Sequence, residues 1–307
     1  MLNFTLKQLK YVEAAARLGS IAKAGAELNI SQSSITAAID ALEEALDYDI
    51  FVRTPAKGIQ TTPSGTEILQ LIRGFIDQSR HFEADVQSVG GDASGLMRIA
   101  CYATAAPSFL PPILKSISEK FPGISIKLLE GNMQKIMDFL SEGEADLVFT
   151  YKDSLDDRHS FLPLFDAPPY ALVSMHDPLA RRKNVKFSDL AEKPMVLLDL
   201  PRTREYFISM FNERGLHPNI VHSTKSSEIA RALVAAGFGF SILNIRPTDY
   251  YEDSVSYRLL PIRDKVQTPV FGIATMAHIR QPKIVRAFIE NCFELSRDGA
   301  FAHLVVK

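Results

Sequence analysis

Apolar positions in the first third of the chain recur every three or four residues, the period of helices that bury one face. Leu6, Leu9, Val12 and Ala16 mark a first helix. Ser20 can cap a second over residues 21–28, in which Ile21, Ala24 and Leu28 share a face. Asn29 and Ile30 interrupt the pattern. Ser31 offers another cap, and Ile35, Ile39, Leu42 and Leu46 stripe a third helix whose other side carries Gln32, Ser33, Thr36, Ala37 and Asp40. This is the pattern of a helix-turn-helix: the last helix is anchored on one side and slim enough on the other to enter a major groove. A β-type run over residues 50–52, a turn containing Pro55 and Gly58, and a second run over 59–61 predict a hairpin, or wing, with Arg53 and Lys57 near its tip.

Thr62 and Pro63 read as a cap followed by proline at the first helical position. From there to about Val89, Ile68, Leu69, Ile72, Phe75, Ile76, Phe82, Val86 and Val89 keep helical spacing. Such a helix is roughly 40 Å long at its rise per residue. Its apolar seam is expected to bury itself against a second copy of the chain. Residues 90–95 (Gly-Gly-Asp-Ala-Ser-Gly) read as a flexible hinge.

The rhythm then changes. Strands are expected over 96–102, 124–129 and 146–150, with helices over 107–121 and 133–141 between them, a βαβαβ unit with parallel strands. A second set follows, with strands over 170–174, 195–198, 220–222 and 240–243 and helices over 203–214 and 227–236. A late strand over 270–275 and an amphipathic helix over 283–295 return the chain to the first set. The expected class is α/β overall. A winged helix-turn-helix spans 1–62, a dimerisation linker helix 63–89, a hinge 90–95 and a regulatory region 96–307. Lobe I of that region takes about 96–165 and 268–300, and lobe II about 166–267, with a cleft between them.

Composition changes this picture little. The 307 residues suffice for two or three folding units, and 46% hydrophobic with 23% charged residues is ordinary for a globular protein. No run of about eighteen apolar residues suggests a membrane span, and Lys7 and Lys10 break any secretory-signal pattern, so a cytoplasmic address is expected. Cys101 and Cys292 lie in apolar contexts and read as packed thiols. The seven histidines are scattered, His217 and His222 are the nearest pair, and no carboxylate or cysteine completes a metal-ligand pattern, so neither metal nor cofactor is assigned. Charge argues against the amino-terminal reading. Through Gly65 six cations (Lys7, Lys10, Arg17, Lys23, Arg53, Lys57) face seven anions (Glu13, Glu27, Asp40, Glu43, Glu44, Asp47, Asp49), a balance of −1 where DNA binders are usually basic.

The chain resembles the LysR-type transcriptional regulators over nearly its whole length. In the first part the resemblance rests on residues 4–12 (Phe-Thr-Leu-Lys-Gln-Leu-Lys-Tyr-Val), Gly19-Ser20-Ile21, residues 24–28 and 31–36, Ala41-Leu42-Glu43, Phe51-Val52-Arg53 and Thr61-Thr62-Pro63-Ser64-Gly65. In the second part it rests on Phe109-Leu110-Pro111, Phe121-Pro122-Gly123, residues 140–147 and residues 233–239. The resemblance implies a winged helix-turn-helix, a dimerising linker helix and a sensor domain like periplasmic binding proteins, assembled as a homotetramer. It also implies promoter DNA and a small effector as partners, with RNA polymerase as a further candidate. Ser33 and Ser34 stand where relatives commonly carry proline and alanine, Ala37 and Ala38 where arginine and glutamine are frequent, and Asp40 in place of a frequent cation.

For DNA, Gln32 can pair bidentately with adenine and Thr36 can meet a thymine methyl. Ser31, Arg53 and Lys57 suit phosphates, and Ser20, Ser33, Ser34 and Ala37 complete the DNA-facing set. For the effector, ligands of open α/β sheets bind beyond the carboxyl ends of the strands. The candidates there are Thr104, Ala105, Ser108, Asn132 and Tyr151 in lobe I, and Arg202, Thr203, Arg204, Tyr206, Ser226, Ser227 and Asn244 in lobe II. Helix amino termini and hydroxyls converging with Arg202 or Arg204 suit a carboxylate, and Tyr151, Tyr206 and Phe240 offer an aromatic wall. The expected effector is a small organic acid. A ligand-binding protein or an enzyme on the same two-lobed fold is the rival. The chain has no G-x-S-x-G elbow and no Walker loop, and Gly237-x-Gly239 lacks a third glycine, so no catalytic residue is assigned.

Overall fold

The computed structural model describes residues 4–54, 58–87, 89, 91–248, 256–277 and 279–307. Lys57 at the expected wing tip and Gly90 of the expected hinge lie outside them. The chain divides into two compact units, residues 1–86 with 141–143 and residues 87–140 with 144–307. No helix among the described residues is long and apolar enough to cross a membrane.

In the first unit, α1 (Leu6–Leu18), α2 (Ile21–Leu28) and α3 (Gln32–Leu46) enclose a core of Leu9, Val12, Ala15, Ala24, Ile35, Ile39 and Leu42. Each start has a chemical cause. The Thr5 hydroxyl accepts the Gln8 amide at 3.2 Å while the Gln8 side chain accepts the Thr5 amide at 2.8 Å, a capping box. Ser20 and Ser31 cap α2 and α3. Asn29, at φ 54°, ends α2 in the left-handed region that asparagine tolerates, producing the tight break. Strands β1 (Phe51–Thr54) and β2 (Gly58–Thr61) pair antiparallel as the wing. The Glu43 carboxylate accepts the amides of Ile50 at 2.7 Å and Phe51 at 2.9 Å, so this acid fixes the exit from α3 into the wing.

Helix α4 (Pro63–Gln87) begins where the Thr62 hydroxyl accepts the Gly65 amide at 2.8 Å. A Cβ at Gly65 would strike the Ile50 carbonyl, so only glycine lets α4 approach the wing. The single apolar seam expected along α4 is two stripes. Leu69, Ile72 and Ile76 are buried in the core shared with α1–α3. Leu71, Phe75, Phe82 and Val86 are exposed on another face. Helical spacing alone merges them, because the two faces lie side by side on one cylinder.

The second unit has two lobes. In lobe I, β3 (Gly95–Tyr102), α5 (Ala106–Lys120), β4 (Ile124–Gly131), α6 (Met133–Ser141) and β5 (Leu147–Tyr151) form the parallel βαβαβ unit. Residues 90–95 are not all hinge: Ala93 is 1% exposed, and the Gly95 amide donates to the Gly123 carbonyl at 3.0 Å as β3 opens. Strand β6 (His159–Asp166) adds an edge that the sequence pattern does not announce, since Pro163 interrupts it. Proline is tolerated there because an edge strand need not donate on both sides.

In lobe II, β7 (Tyr170–Ser174), α7 (Phe187–Ala191), β8 (Pro194–Leu198), α8 (Thr203–Asn212), β9 (Asn219–Thr224), α9 (Ser227–Ala235), β10 (Ser241–Leu243) and β11 (Tyr257–Pro261) follow. Strands β10, β7 and β11 form an antiparallel sheet, and β8 pairs parallel with β9. A bridge from Met195 to Phe240 joins the two. Strand β12 (Val270–Met276) re-enters the lobe I sheet between β5 and β6, giving the order β4-β3-β5-β12-β6, and α10 (Lys283–Arg297) closes over α5. The chain therefore crosses between lobes twice, at 167–169 and 262–269.

Candidate functional site

The first candidate surface is the exposed side of α3. Gln32, Ser33, Ser34 and Ala37 are exposed and Thr36 half-exposed, whereas Ile35, Ala38 and Ile39 are buried. Small or uncharged side chains thus occupy the face away from the core. Ser31 is committed to the helix start: its hydroxyl accepts the Ser34 amide at 3.2 Å and lies 2.9 Å and 2.8 Å from the hydroxyls of Ser33 and Ser34. Ser20 likewise accepts the Lys23 amide at 3.3 Å. Arg53 of the wing forms an ion pair with Asp40 of α3, both half-exposed. The departure at Asp40 therefore has a consequence: the wing cation is already paired on the surface expected to face phosphate.

The second candidate is a cavity of about 200 Å³ between the lobes of the second unit. Nine of the twelve predicted residues line it: Thr104, Ala105, Ser108 and Tyr151 from lobe I, and Arg202, Thr203, Tyr206, Ser227 and Asn244 from lobe II. Three do not. Asn132 uses its side-chain oxygen to accept the Lys135 amide at 3.0 Å, capping α6. Arg204 pairs with Asp199 at 3.1 Å. Ser226 caps α9 by accepting the Ile229 amide at 3.3 Å. Phe240, expected in the wall, is buried against Phe211 in the lobe II core. The apolar lining that sequence reasoning missed comes from Met133, Leu198, Phe207, Leu243 and Ile245, and the missed polar lining from Tyr102, Asp153, Ser154 and Arg231.

Packing beneath the cavity sets its walls. Phe109, Phe149 and Phe271 cluster with ring centroids 4.8–6.5 Å apart, and Tyr151 stands edge-on to Phe271 at 5.2 Å. The Tyr102 hydroxyl lies 3.0 Å from that of Thr203, bridging the lobes, and Ser227 donates to the Thr104 carbonyl at 3.5 Å. Asn244 donates to the Ala167 carbonyl at 2.8 Å, and the Tyr206 hydroxyl donates to that of Gln267 at 3.4 Å. Ala167 and Gln267 lie on the two crossovers, so two lining residues hold the connections between the lobes.

The three phenols stay neutral at physiological pH. Burial raises the Tyr102 hydroxyl against hydrogen bonds from Thr104 and Thr203, and raises that of Tyr151 well above its usual range. Burial, with the nearby Asp153 charge, pushes Tyr206 up to about 12. They are neutral hydrogen-bonding groups in a largely apolar wall. No hydrogen bond occupies the hydroxyls of Tyr151 or Ser108 among the described residues, although Ser108 is only 6% exposed. Arg202 sits at φ 63°, ψ −41°, with the Thr203 amide donating to the Pro201 carbonyl at 2.8 Å. That is a γ-turn of the strained hand, found here in a non-glycine residue at the cavity edge.

Comparison with known proteins identifies the family of both parts of the chain. Residues 6–66 match the family model of bacterial regulatory helix-turn-helix proteins of the lysR family, and residues 90–296 match that of the LysR substrate binding domain. HinK, a LysR family transcriptional regulator from Pseudomonas aeruginosa, is 32% identical, with 95% of this chain and 98% of its own covered at a TM-score of 0.62. The PA01 protein of the same organism is 31% identical, with 95% and 99% covered at 0.61. The HTH-type transcriptional activator CmpR of Synechocystis sp. is 29% identical over 249 residues, 80% of either chain. The chain thus belongs to the LysR family and is a DNA-binding transcriptional regulator, not an enzyme, built with an effector-binding domain.

Proposed function

We propose that this regulator binds promoter DNA through the exposed face of α3 and is controlled by a small organic acid held in the cavity between the lobes. The observation that carries the effector half is the cavity itself. It takes Arg202, a cation with no ion pair among the described residues, and the amino-terminal turns of α5 and α9, where Ser108 presents an unsatisfied hydroxyl. Helix amino termini and a guanidinium favour a carboxylate. A volume near 200 Å³ lies below the range of drug-sized sites, so the acid is small. Calorimetry of the full chain against carboxylate metabolites tests this. Preference for neutral or cationic compounds overturns it.

On the DNA side, Gln32 is the base-reading residue and Thr36 its apolar neighbour, with Ser20, Ser31, Ser33, Ser34, Ala37, Arg53 and Lys57 completing the contact surface. Gln32→Ala is expected to cost about 1–3 kcal/mol on a specific promoter fragment and nearly nothing on random duplex. Equal losses on both refute the assignment. The exposed stripe of α4 joins two copies, and pairs associate further into a tetramer in the cytoplasm, with RNA polymerase as the downstream partner.

A further inference from the structure

Three charged residues line the effector cavity, the cations Arg202 and Arg231 and a single anion, Asp153. Arg202 comes from lobe II and Asp153 from the turn after β5 in lobe I. The side chains of Arg202 and Asp153 make no ion pair or hydrogen bond with any described residue. The Asp153 charge acts on the Tyr206 phenol, itself part of the lining and neutral. Asp153 repels a ligand that carries only a carboxylate and is matched by one that also carries a cation. Like charges in one small cavity repel.

We infer that the effector is a small ampholyte, a carboxylic acid that also bears a protonated amine or comparable nitrogen cation, with the carboxylate on Arg202 and the cation on Asp153. The inference rests on the organic-acid reading of the same cavity and narrows it. Three observations converge. Arg202 is held in the strained γ-turn at φ 63°, a conformation that a non-glycine residue keeps where the surrounding structure has a use for it. Unsatisfied hydroxyls of Tyr151 and Ser108 remain for further hydrogen bonds to either ligand group. In the same lining, Leu198, Phe207, Leu243 and Ile245 offer an apolar surface for a short hydrocarbon or aromatic body. A ligand with both charges ties lobe I to lobe II, whereas an acid or amine alone engages only one lobe by charge.

The test is a calorimetric panel on the full chain. It contains the standard α-amino acids and a set of β-, γ- and aryl amino acids, each beside its deaminated acid and its decarboxylated amine. Phenylalanine, 3-phenylpropanoate and 2-phenylethylamine form one such trio. At least one ampholyte is expected to bind about tenfold or more tighter than both of its single-charge analogues. Asp153→Asn should weaken that ampholyte about tenfold while leaving the deaminated acid within about twofold. Arg202→Gln should weaken the ampholyte and the acid alike. Both positions are exposed, and an unchanged melting temperature will show that the variants fold. If a deaminated acid matches or exceeds its ampholyte, the inference fails and the organic-acid reading stands. If amines bind best, both fail. If no ampholyte binds at millimolar concentration, the inference is likewise overturned.

Discussion

Replacing Phe82 by alanine tests the role of α4 most sharply, because the affected surface is outside the core. Leu71, Phe75, Phe82 and Val86 are 70%, 53%, 69% and 52% exposed and form a stripe along one face. A phenylalanine side chain carries about 150–250 Å², so roughly 120 Å² of Phe82 is left to bury when two helices meet. At about 25 cal/mol per Å² that is at most roughly 3 kcal/mol per copy. A twofold interface contains the residue twice, giving about 6 kcal/mol, or some four decades in dissociation constant. Costs of lost rotation and translation are the same for parent and variant and cancel in the difference. Sedimentation velocity from nanomolar to tens of micromolar protein should show the parent assembled where Phe82→Ala has lost the step through α4. Ile72→Ala is the control: its side chain lies in the core, so it should cost about 2–5 kcal/mol of stability and leave association intact. An unchanged assembly profile for Phe82→Ala at every concentration refutes the joint.

Other substitutions probe the interior and the wing. Arg98 and Asp146 form a buried ion pair in lobe I, with side chains 11% and 4% exposed, so Asp146→Asn should destabilise the chain by about 3–5 kcal/mol in urea unfolding followed by tyrosine fluorescence. A loss below about 1 kcal/mol contradicts that role. Burial pushes the Cys101 thiol up to about 11 and Cys292 higher still. At pH 8 roughly one Cys101 in a thousand is thiolate, so iodoacetamide should label neither thiol in the native chain and both in urea, as read by mass spectrometry. Since both folded values exceed the unfolded value near ~8.5, their contribution to stability is complete below that pH and is lost as pH climbs towards about 11. Asp40→Asn should release Arg53 towards phosphate, tightening binding to random duplex and steepening the salt slope by about 1. Fluorescence anisotropy at several salt concentrations reads this, and an unaltered slope sinks it.

The elements that the sequence pattern announced are those whose cause is local. Ser20, Asn29 and Ser31 punctuate the helix-turn-helix because a cap and a left-handed residue act over three or four positions. The βαβαβ unit was equally plain, since a helix of period 3.6 and a buried strand leave different marks. Strand β6 stayed hidden because its identity depends on a partner over a hundred residues later: β12 pairs along it, with Phe271 opposite Phe165 and Gly272 opposite Pro163. The bulge at Phe271 and Gly272 and the missing side chain at Gly272 make room for that strand, and nothing near Pro163 reports them. The charge deficit of the amino-terminal unit also has a tertiary answer. Glu43 serves two wing amides and Asp40 holds Arg53, so acids that a tally sets against DNA binding have structural partners.

The cavity shows how a one-residue difference separates a cap from a lining group. Ser226 and Ser227 are neighbours at the start of α9, yet the first folds back onto its own helix while the second faces the cavity. The N-cap side chain is aimed at the first-turn amides, and the next side chain has left that arc. Arg202 and Arg204 divide the same way, one strained at the cavity and the other paired with Asp199. Asp153, the one anion in the lining, is not legible from the sequence, because hydroxyls and cations are the complements of a carboxylate and an acid after a strand is not. Its position also bears on control. Tyr206 is electrostatically close to Asp153 and hydrogen-bonds both Asn244, at 3.4 Å, and the Gln267 carbonyl. Asn244 in turn holds the Ala167 carbonyl. On the ampholyte proposal, a ligand cation at Asp153 would act on a hydrogen-bonded chain running through both crossovers, and its differential contacts with that chain would be what shifts the angle between the lobes.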